Sequence, residues 1–431
     1  MLYYFISQYI NDLDTPISNI SISIFRLAFS FVLLIQTYYF IVEDFITKNI
    51  VDPVILFPFI NGLNPVSVKY LFILSYIMLI SNIGMFFNRF YRISTLIFTC
   101  CFTYFWLLDK GYFNNHYYFM SIICFLLFFL NNKCSFSKVI YVPKINLMAL
   151  QFMVLLVYFI SGINKVNPYW LFDFQPMKHI LEIKAEITHN PFYYKEYLPK
   201  LFSYLGLLFD LGIGFLLIFK KTRVFGFGLI FIFNLINFQI FKDIGEIGVF
   251  PFLMITTLIL FVNPKGYLKI FKLQKITTQI KPSSYLKKFI VVFLILQTLL
   301  PFRHILFKGY VDYNGIGQRF SWRMKLMYKE ADINYFIINK FTKERFAVNV
   351  STMLTDKQYN NLKYFPDLIV PLAKKIKLEA KENFGINNAK IVCVYKLKFM
   401  ENSEQLLFSP KIDLSKIQTN TLANKWLFDL K

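Results

Sequence analysis

Three stretches of the chain set polar side chains against apolar surroundings. VYFISGINKVNPYW (Val157–Trp170) begins apolar enough to lie in a membrane and ends in Asn164, Lys165, a proline and a tryptophan. The amine has two readings. It is a lysine snorkelling to the lipid surface, with Trp170 as a residue of the interfacial belt. Alternatively it is a desolvated base, because burial disfavours the charged form and lowers a lysine pKa from ~10.4 by up to ~3–5 units. DKGYFNNHYYF (Asp109–Phe119) carries Asn114, Asn115 and His116, and a lone histidine serves either structure or proton transfer. In FNLINFQIF (Phe233–Phe241), Asn234, Asn237 and Gln239 interrupt an apolar helix, and the two asparagines, three apart, share a face. Such amides are either interhelical glue, worth ~0.6–2 kcal/mol each, or part of a site, since polar groups at membrane depth are costly.

The elements that must position these residues are membrane helices. The 431 residues are 56% hydrophobic and 17% charged, below the ~25% charge of soluble domains. Fifty-three Phe exceed what one water-soluble core can hide, so lipid is part of the solvent. A span needs roughly 20 mostly apolar residues. Nine candidates lie near Ile20–Val42, Tyr70–Phe87, Ile93–Leu108, Tyr117–Leu130, Leu147–Ile163, Leu201–Phe219, Val224–Ile240, Ile247–Val262 and Phe289–Pro301. The loops after the second, fourth, sixth and eighth candidates hold Lys and Arg without Asp or Glu, and the alternate loops hold the acids. By the positive-inside rule the purely basic loops and the N-terminus are cytoplasmic, and everything after the ninth span is outside. Much of the net charge of +22 is therefore a topology signal, and nucleic-acid binding is not expected. The N-terminus lacks a signal-peptide pattern and reads as an interfacial segment. Cys100, Cys101, Cys124, Cys134 and Cys393 have neither zinc nor CxxC spacing, so neither a disulfide framework nor a metal site is expected.

After Phe302 the composition changes. RFSWRMKLMY (Arg319–Tyr328), INYFIINKF, ERFAVNV, AKIVCVYKLKFM and EQLLFS read as strands, and Lys357–Phe384 reads as helical, broken near Pro366 and Pro371. The fold class is a polytopic α-helical bundle (residues 1–304) with a small α+β extramembrane domain (residues 305–431). The three polar stretches fall in turns facing that domain, so a pocket is expected between bundle and outer cap. With no inverted repeat, and with the polar residues at one face rather than the midplane, a transporter is disfavoured.

NNHYYF resembles the NNHSYL-type stretch of the vitamin K-dependent γ-carboxylases, whose wider family is the HTTM transmembrane domain. VYFISGINKVNPYWL resembles its VYFIAG-x-x-K signature with a following Trp, and places Lys165 on the catalytic lysine. FDLGIGFLLIF, FNLINFQIF and LLPFRHILFKGYVDYNGIGQRFSWRMKL resemble further stretches in the same order, the last with Ser321 and Trp322 at the family's Ser-Trp pair. Two points depart. Asn234 stands where the animal enzymes have histidine, and the chain reads as a short form without their long lumenal extension.

The resemblance implies a membrane enzyme that oxygenates a reduced vitamin K or menaquinone-type hydroquinone with O2 and carboxylates glutamate side chains with CO2, without a metal. It implies Lys165 as the base on the hydroquinone, and His116 as the group that stabilises the carbanion or positions CO2. Asn114, Asn115, Trp170, Asn234, Asn237 and Gln239 become candidates for quinone or substrate contacts, and Ser321 and Trp322 for cap positioning. The implied partners are the bilayer, the quinone and a glutamate-containing peptide or protein. A scaffold that binds quinone or lipid, or serves secreted-peptide maturation without carboxylating, is the alternative.

Overall fold

The computed structural model describes residues 12–133, 138–244, 247–270, 274–280, 283–418 and 426–431. Cys134 and the N-terminal residues 1–11 lie outside them, and the other four cysteines are free. All nine expected apolar segments fall on helices: α1 (Ile20–Val42), α2 (Val68–Gly84), α3 (Tyr91–Leu107), α4 (Asn115–Phe129), α5 (Ile145–Asn164), α6 (Tyr197–Ile218), α7 (Arg223–Phe241), α8 (Phe250–Thr256, continued as 3-10 turns to Phe261) and α9 (Ser284–Leu299, continued to Leu306). Five of these (α1, α5, α6, α7 and α9) are long and apolar enough to cross a membrane by length and composition. The expected count of nine crossings is thus not established, although every segment is helical. Only 28% of the apolar stretch of α6 and of α7, and 11% of that of α9, is buried, against 72% for α5. Large apolar side chains exposed along whole helices need lipid as their solvent.

The helix connections collect at two opposite ends. At one end, β1 (Pro16–Ser18), β2 (Lys138–Pro143) and β3 (Gln274–Gln279) form a three-stranded sheet in that order, antiparallel then parallel. This sheet ties together the chain before α1, the α4–α5 loop and the α8–α9 loop. Each strand is six residues or fewer. Arg26 reaches Asn88 of the α2–α3 loop at 3.0 Å at the same end.

At the other end sits the cap. β4 (Lys329–Asn339), β5 (Arg345–Val348), β6 (Ala389–Phe399) and β7 (Gln405–Leu406) form an antiparallel sheet in the order β5-β4-β6-β7. Helices α10 (Asp356–Tyr364) and α11 (Ile369–Phe384) join its core, and α11 packs on β6. The break at Pro366 appears as a 3-10 turn, whereas Pro371 falls in the first turn of α11, where a missing N–H is tolerated. The strand expected over Arg319–Tyr328 is absent: the chain there is turns and irregular, with positive φ at Phe320 (62°), Trp322 (54°) and Lys325 (51°). Its alternation of residue type does not follow burial, since Arg319, Ser321 and Arg323 are buried along with Trp322, and left-handed backbone cannot continue a strand.

Bundle and cap are bolted together. Thr355 and Gln358 close a capping box at the start of α10. The same Gln358 amide donates to Asp109 Oδ2 (2.6 Å) and to the Ile55 carbonyl (2.9 Å). Phe57, from the α1–α2 connection, is buried in the cap core. Gln175 and Lys178 both reach Glu401, at 2.9 and 2.7 Å.

Candidate functional site

Lys165 is the residue at which α5 ends: its N–H turns back to the Gly162 carbonyl (3.0 Å), and Asn167 then caps the next short turn at Trp170 N (3.0 Å). Gly162 is required by packing. A β-carbon there would lie 2.7 Å from Leu211 Cδ2 and 3.0 Å from Leu211 N, so glycine permits α5 to press against the backbone of α6. One residue before Leu211 stands Asp210, and its carboxylate accepts a hydrogen bond from Lys165 Nζ. Both side chains are buried, and Ser161 Oγ lies 3.3 Å from the amine. The Trp170 ring lies under it at 5.3 Å, held by Nε1 donating to the Ser203 carbonyl (2.8 Å). Lys165 is therefore buried rather than out at a lipid surface, and its carboxylate partner Asp210 is not among the candidate site residues of the sequence. The signal was there: a lone aspartate in the apolar run FDLGIGF is costly at membrane depth.

The neighbouring Asn164 fixes this corner to the cap. Its Nδ2 donates to the Ser321 carbonyl (2.8 Å) and its Oδ1 accepts from Arg323 Nη1 (2.8 Å). Arg323 grips the fully buried Asp312 through its Nε/Nη2 edge at 2.7 and 2.6 Å. Ser321 Oγ donates to Gly317 O (2.6 Å) and accepts from Arg303 Nη1 (3.2 Å). Trp322 is buried and stacks on Tyr118, centroids 5.2 Å apart.

These residues border a cavity of about 710 Å³ between bundle and cap, within the few-hundred to ~1,000 Å³ range of small-molecule sites. It brings together Asn114, Asn115, His116, Lys165, Trp170, Asn234 and Asn237. Asn114 caps α4, accepting from Tyr117 N at 2.8 Å, and so sets His116 in the first turn. The imidazole is half-buried, edge-on to Tyr117 (4.9 Å) and near Phe250 (6.0 Å). Asn234 donates to its own helix at the Ile230 carbonyl (2.9 Å) and is buried. Gln239 is exposed and off the cavity wall; its carbonyl, not its amide, is engaged, by Lys184 (2.7 Å). Ser321 and Trp322 lie behind the wall rather than on it.

The walls differ in chemistry. Leu205, Leu208, Ile232 and Ile236 of α6 and α7 line the cavity and are 40–66% exposed, so it opens laterally where those helices meet lipid. Phe209 and Phe233 stack across the same helices at 3.8 Å. The cap side supplies Gln318, Arg319, Arg323 and Lys325. Among the described residues no cluster of three His, Cys, Asp or Glu stands in metal-holding geometry.

Fold and site together define a polytopic membrane protein whose extramembrane cap closes a cavity with a lipid-facing mouth and a buried lysine–carboxylate pair. The HTTM domain matches residues 15–265, and the vitamin K-dependent gamma-carboxylase lumenal domain matches residues 282–431. The chain belongs to the vitamin K-dependent γ-carboxylase family, and its C-terminal region is lumenal in type. No solved structure matches it. The lumenal match includes α9, which the sequence boundary at 304/305 assigned to the bundle.

Proposed function

We propose that the protein is a quinol-dependent glutamyl carboxylase of the membrane. The observation that carries this reading is a single cavity bordered by a lipid-exposed apolar wall, a buried lysine–carboxylate pair and a cationic cap wall. A hydroquinone of the vitamin K or menaquinone type enters from lipid between α6 and α7, and a glutamyl peptide enters from the cap side. The hydroquinone and O2 give epoxide and water, which supplies the driving force and the base for the second half. There the glutamate Cγ–H bond breaks, a C–C bond forms to CO2, and the proton is released.

Lys165 takes a hydroquinone proton. Asp210 accepts a hydrogen bond from the Lys165 amine and holds it at the cavity wall. His116 faces the carbanion or CO2 from the opposite wall, and Asn114 holds its turn. Asn115, Trp170, Asn234 and Asn237 contact substrate or quinone, while Ser321 and Trp322 position the cap. Enclosure excludes water, which would quench both base and carbanion. Nine helices alternating between two ends, with the cap lumenal or periplasmic, leave the N-terminus cytoplasmic; the bundle is residues 1–304 and the cap 305–431.

The test uses purified protein in lipid nanodiscs with reduced menaquinone or vitamin K, O2, labelled bicarbonate and a small Glu peptide. Label enters the peptide and epoxide appears together, and Lys165→Ala loses both. Full epoxide formation by Lys165→Ala overturns the assignment of the base. Reporter fusions after Leu130 and Ile270 read cytoplasmic, and one after Leu414 reads outside.

A further inference from the structure

Two arginines, four residues apart on the segment between bundle and cap, line the cavity and are each at least nine-tenths buried. Arg323 uses the Nε/Nη2 edge of its guanidinium to hold Asp312 at both oxygens. In Arg319 the corresponding edge, Nε and Nη2, is buried without a hydrogen-bond partner; only Nη1 is engaged, by Asp367 Oδ2 at 2.7 Å. The group is rigidly held. Its guanidinium carbon lies 4.0 Å from the Phe365 ring centroid, and the Arg319 carbonyl accepts from Arg303 Nη2. Asp367 is shared, since Lys110 Nζ also approaches it at 3.7 Å, and Asp109 is the other carboxylate near these two cations. Two acceptors of cavity-lining residues are likewise buried and unpartnered: Gln318 Oε1 on the cap side and Asn115 Oδ1 at the start of α4. Leaving buried donors and acceptors unmade costs ~1–3 kcal/mol each, and bidentate guanidinium–carboxylate contacts are the strong way to satisfy an arginine edge.

We propose that Arg319 is the carboxylate fork of the cap-side wall: its Nε/Nη2 edge takes the side-chain carboxylate of a glutamyl peptide, and Gln318 Oε1 and Asn115 Oδ1 accept N–H groups of the peptide backbone. The assignment rests on the carboxylase reading for the choice of glutamyl peptide, but the fork itself is a binding property that needs neither quinone nor O2. A fixed guanidinium on the carboxylate also stabilises the charge that builds on those oxygens when the adjacent carbon loses its proton.

The experiment is calorimetric titration of the full chain in nanodiscs, without quinone or O2, with a short peptide holding one Glu and with the same peptide holding Gln. The wild type prefers the Glu peptide by roughly tenfold to a hundredfold, the value of a charge-assisted pair. Arg319→Lys keeps a cation beside Asp367 but lacks the fork, and loses most of that preference. Arg319→Gln loses it entirely, and thermal melting of both variants reports whether they fold; if Arg319→Gln does not, Arg319→Lys decides. Glutarate as a competitor separates the sources: a Glu peptide that binds more tightly than glutarate, by a margin that Gln318→Leu narrows, assigns the peptide, and equal affinity assigns a free dicarboxylate. Equal affinity of the wild type for Glu and Gln peptides, or a preference unchanged in both Arg319 variants, overturns the fork. Fork-dependent binding with no label fixed from bicarbonate would retain the fork and reject the carboxylase.

Discussion

Two buried lysines of this protein meet carboxylates, and their surroundings differ. Lys165 and Asp210 are both buried, and both border the cavity. Lys184, on the helix Met177–Thr188, is buried to 1%, but its partner Asp243 is 36% exposed. Lys184 also donates to the Gln239 carbonyl, and the contact holds Asp243's carboxyl below the usual carboxylate range. Water reaches one end of the Lys184 pair, which staples Met177–Thr188 to the end of α7. The Lys165 pair is buried at both ends and borders a ligand-sized space. Burial of a lysine is thus no mark of chemistry by itself; the environment of its partner is.

Exchanging the same substitution between the pairs breaks the comparison most strongly. Lys165→Ala is expected to lower epoxide formation per folded molecule by about 100- to 10,000-fold, the range for a general base, and to lower stability as well, because buried Asp210 loses its partner. Lys184→Ala is expected to differ in turnover: turnover per folded molecule is kept and stability falls by ~1–3 kcal/mol, because the Gln239 carbonyl loses its donor. Equal turnover losses in the two variants would erase the distinction. Next in size, Asp210→Asn cuts turnover roughly tenfold or more, the scale of one charge-assisted hydrogen bond. Asp243→Asn changes turnover by less than about twofold, as for an exposed pair. Gly162→Ala then tests the helix contact beneath the pair. Its methyl meets the Leu211 side chain at 2.7 Å and the Leu211 backbone nitrogen at 3.0 Å, so α5 and α6 must separate. The expected loss is ~1–3 kcal/mol of stability, with turnover reduced even in the folded fraction because Lys165 and Asp210 move apart.

What was legible in the sequence was what is local. Nine apolar runs, four of the five expected strands and the broken helix after Lys357 follow from composition and period, each read within one segment. The family signature placed Lys165, His116, Asn114 and Asn234 on one cavity. What stayed hidden was pairing at a distance. Lys165 meets Asp210 across 45 residues, and Asn164 meets Arg323 across 159. Nothing in either local sequence announces the other. Gln239 misled because an amide in an apolar helix signals a site only when its face turns inward; two residues after Asn237 it turns outward. Arg319–Tyr328 misled because its alternation of residue type is not one of burial: the polar Arg319, Ser321 and Arg323 are buried as Trp322 is, held by Asp367, the Gly317 carbonyl and Asp312.

A third buried lysine sharpens the comparison with the smallest effect. Lys329 opens β4 in the cap, 2% exposed, and its amine meets a neutral acceptor, the Tyr364 carbonyl at 3.0 Å. Burial pushes its pKa down to about 7, offset only in part by the more distant Asp312. The free value is 10.5, so between pH ~7 and ~10 the unfolded chain binds the proton that the native chain has shed. Stability therefore rises with pH across that window by at most ~1.4 kcal/mol per pH unit; it is lost as pH falls toward 7 and is flat below. Lys329→Met removes the titration. Melting curves of both proteins at pH 6.5, 7.5 and 8.5 should show the wild type gaining on the variant at each step. A constant gap would mean that Lys329 stays charged in the fold.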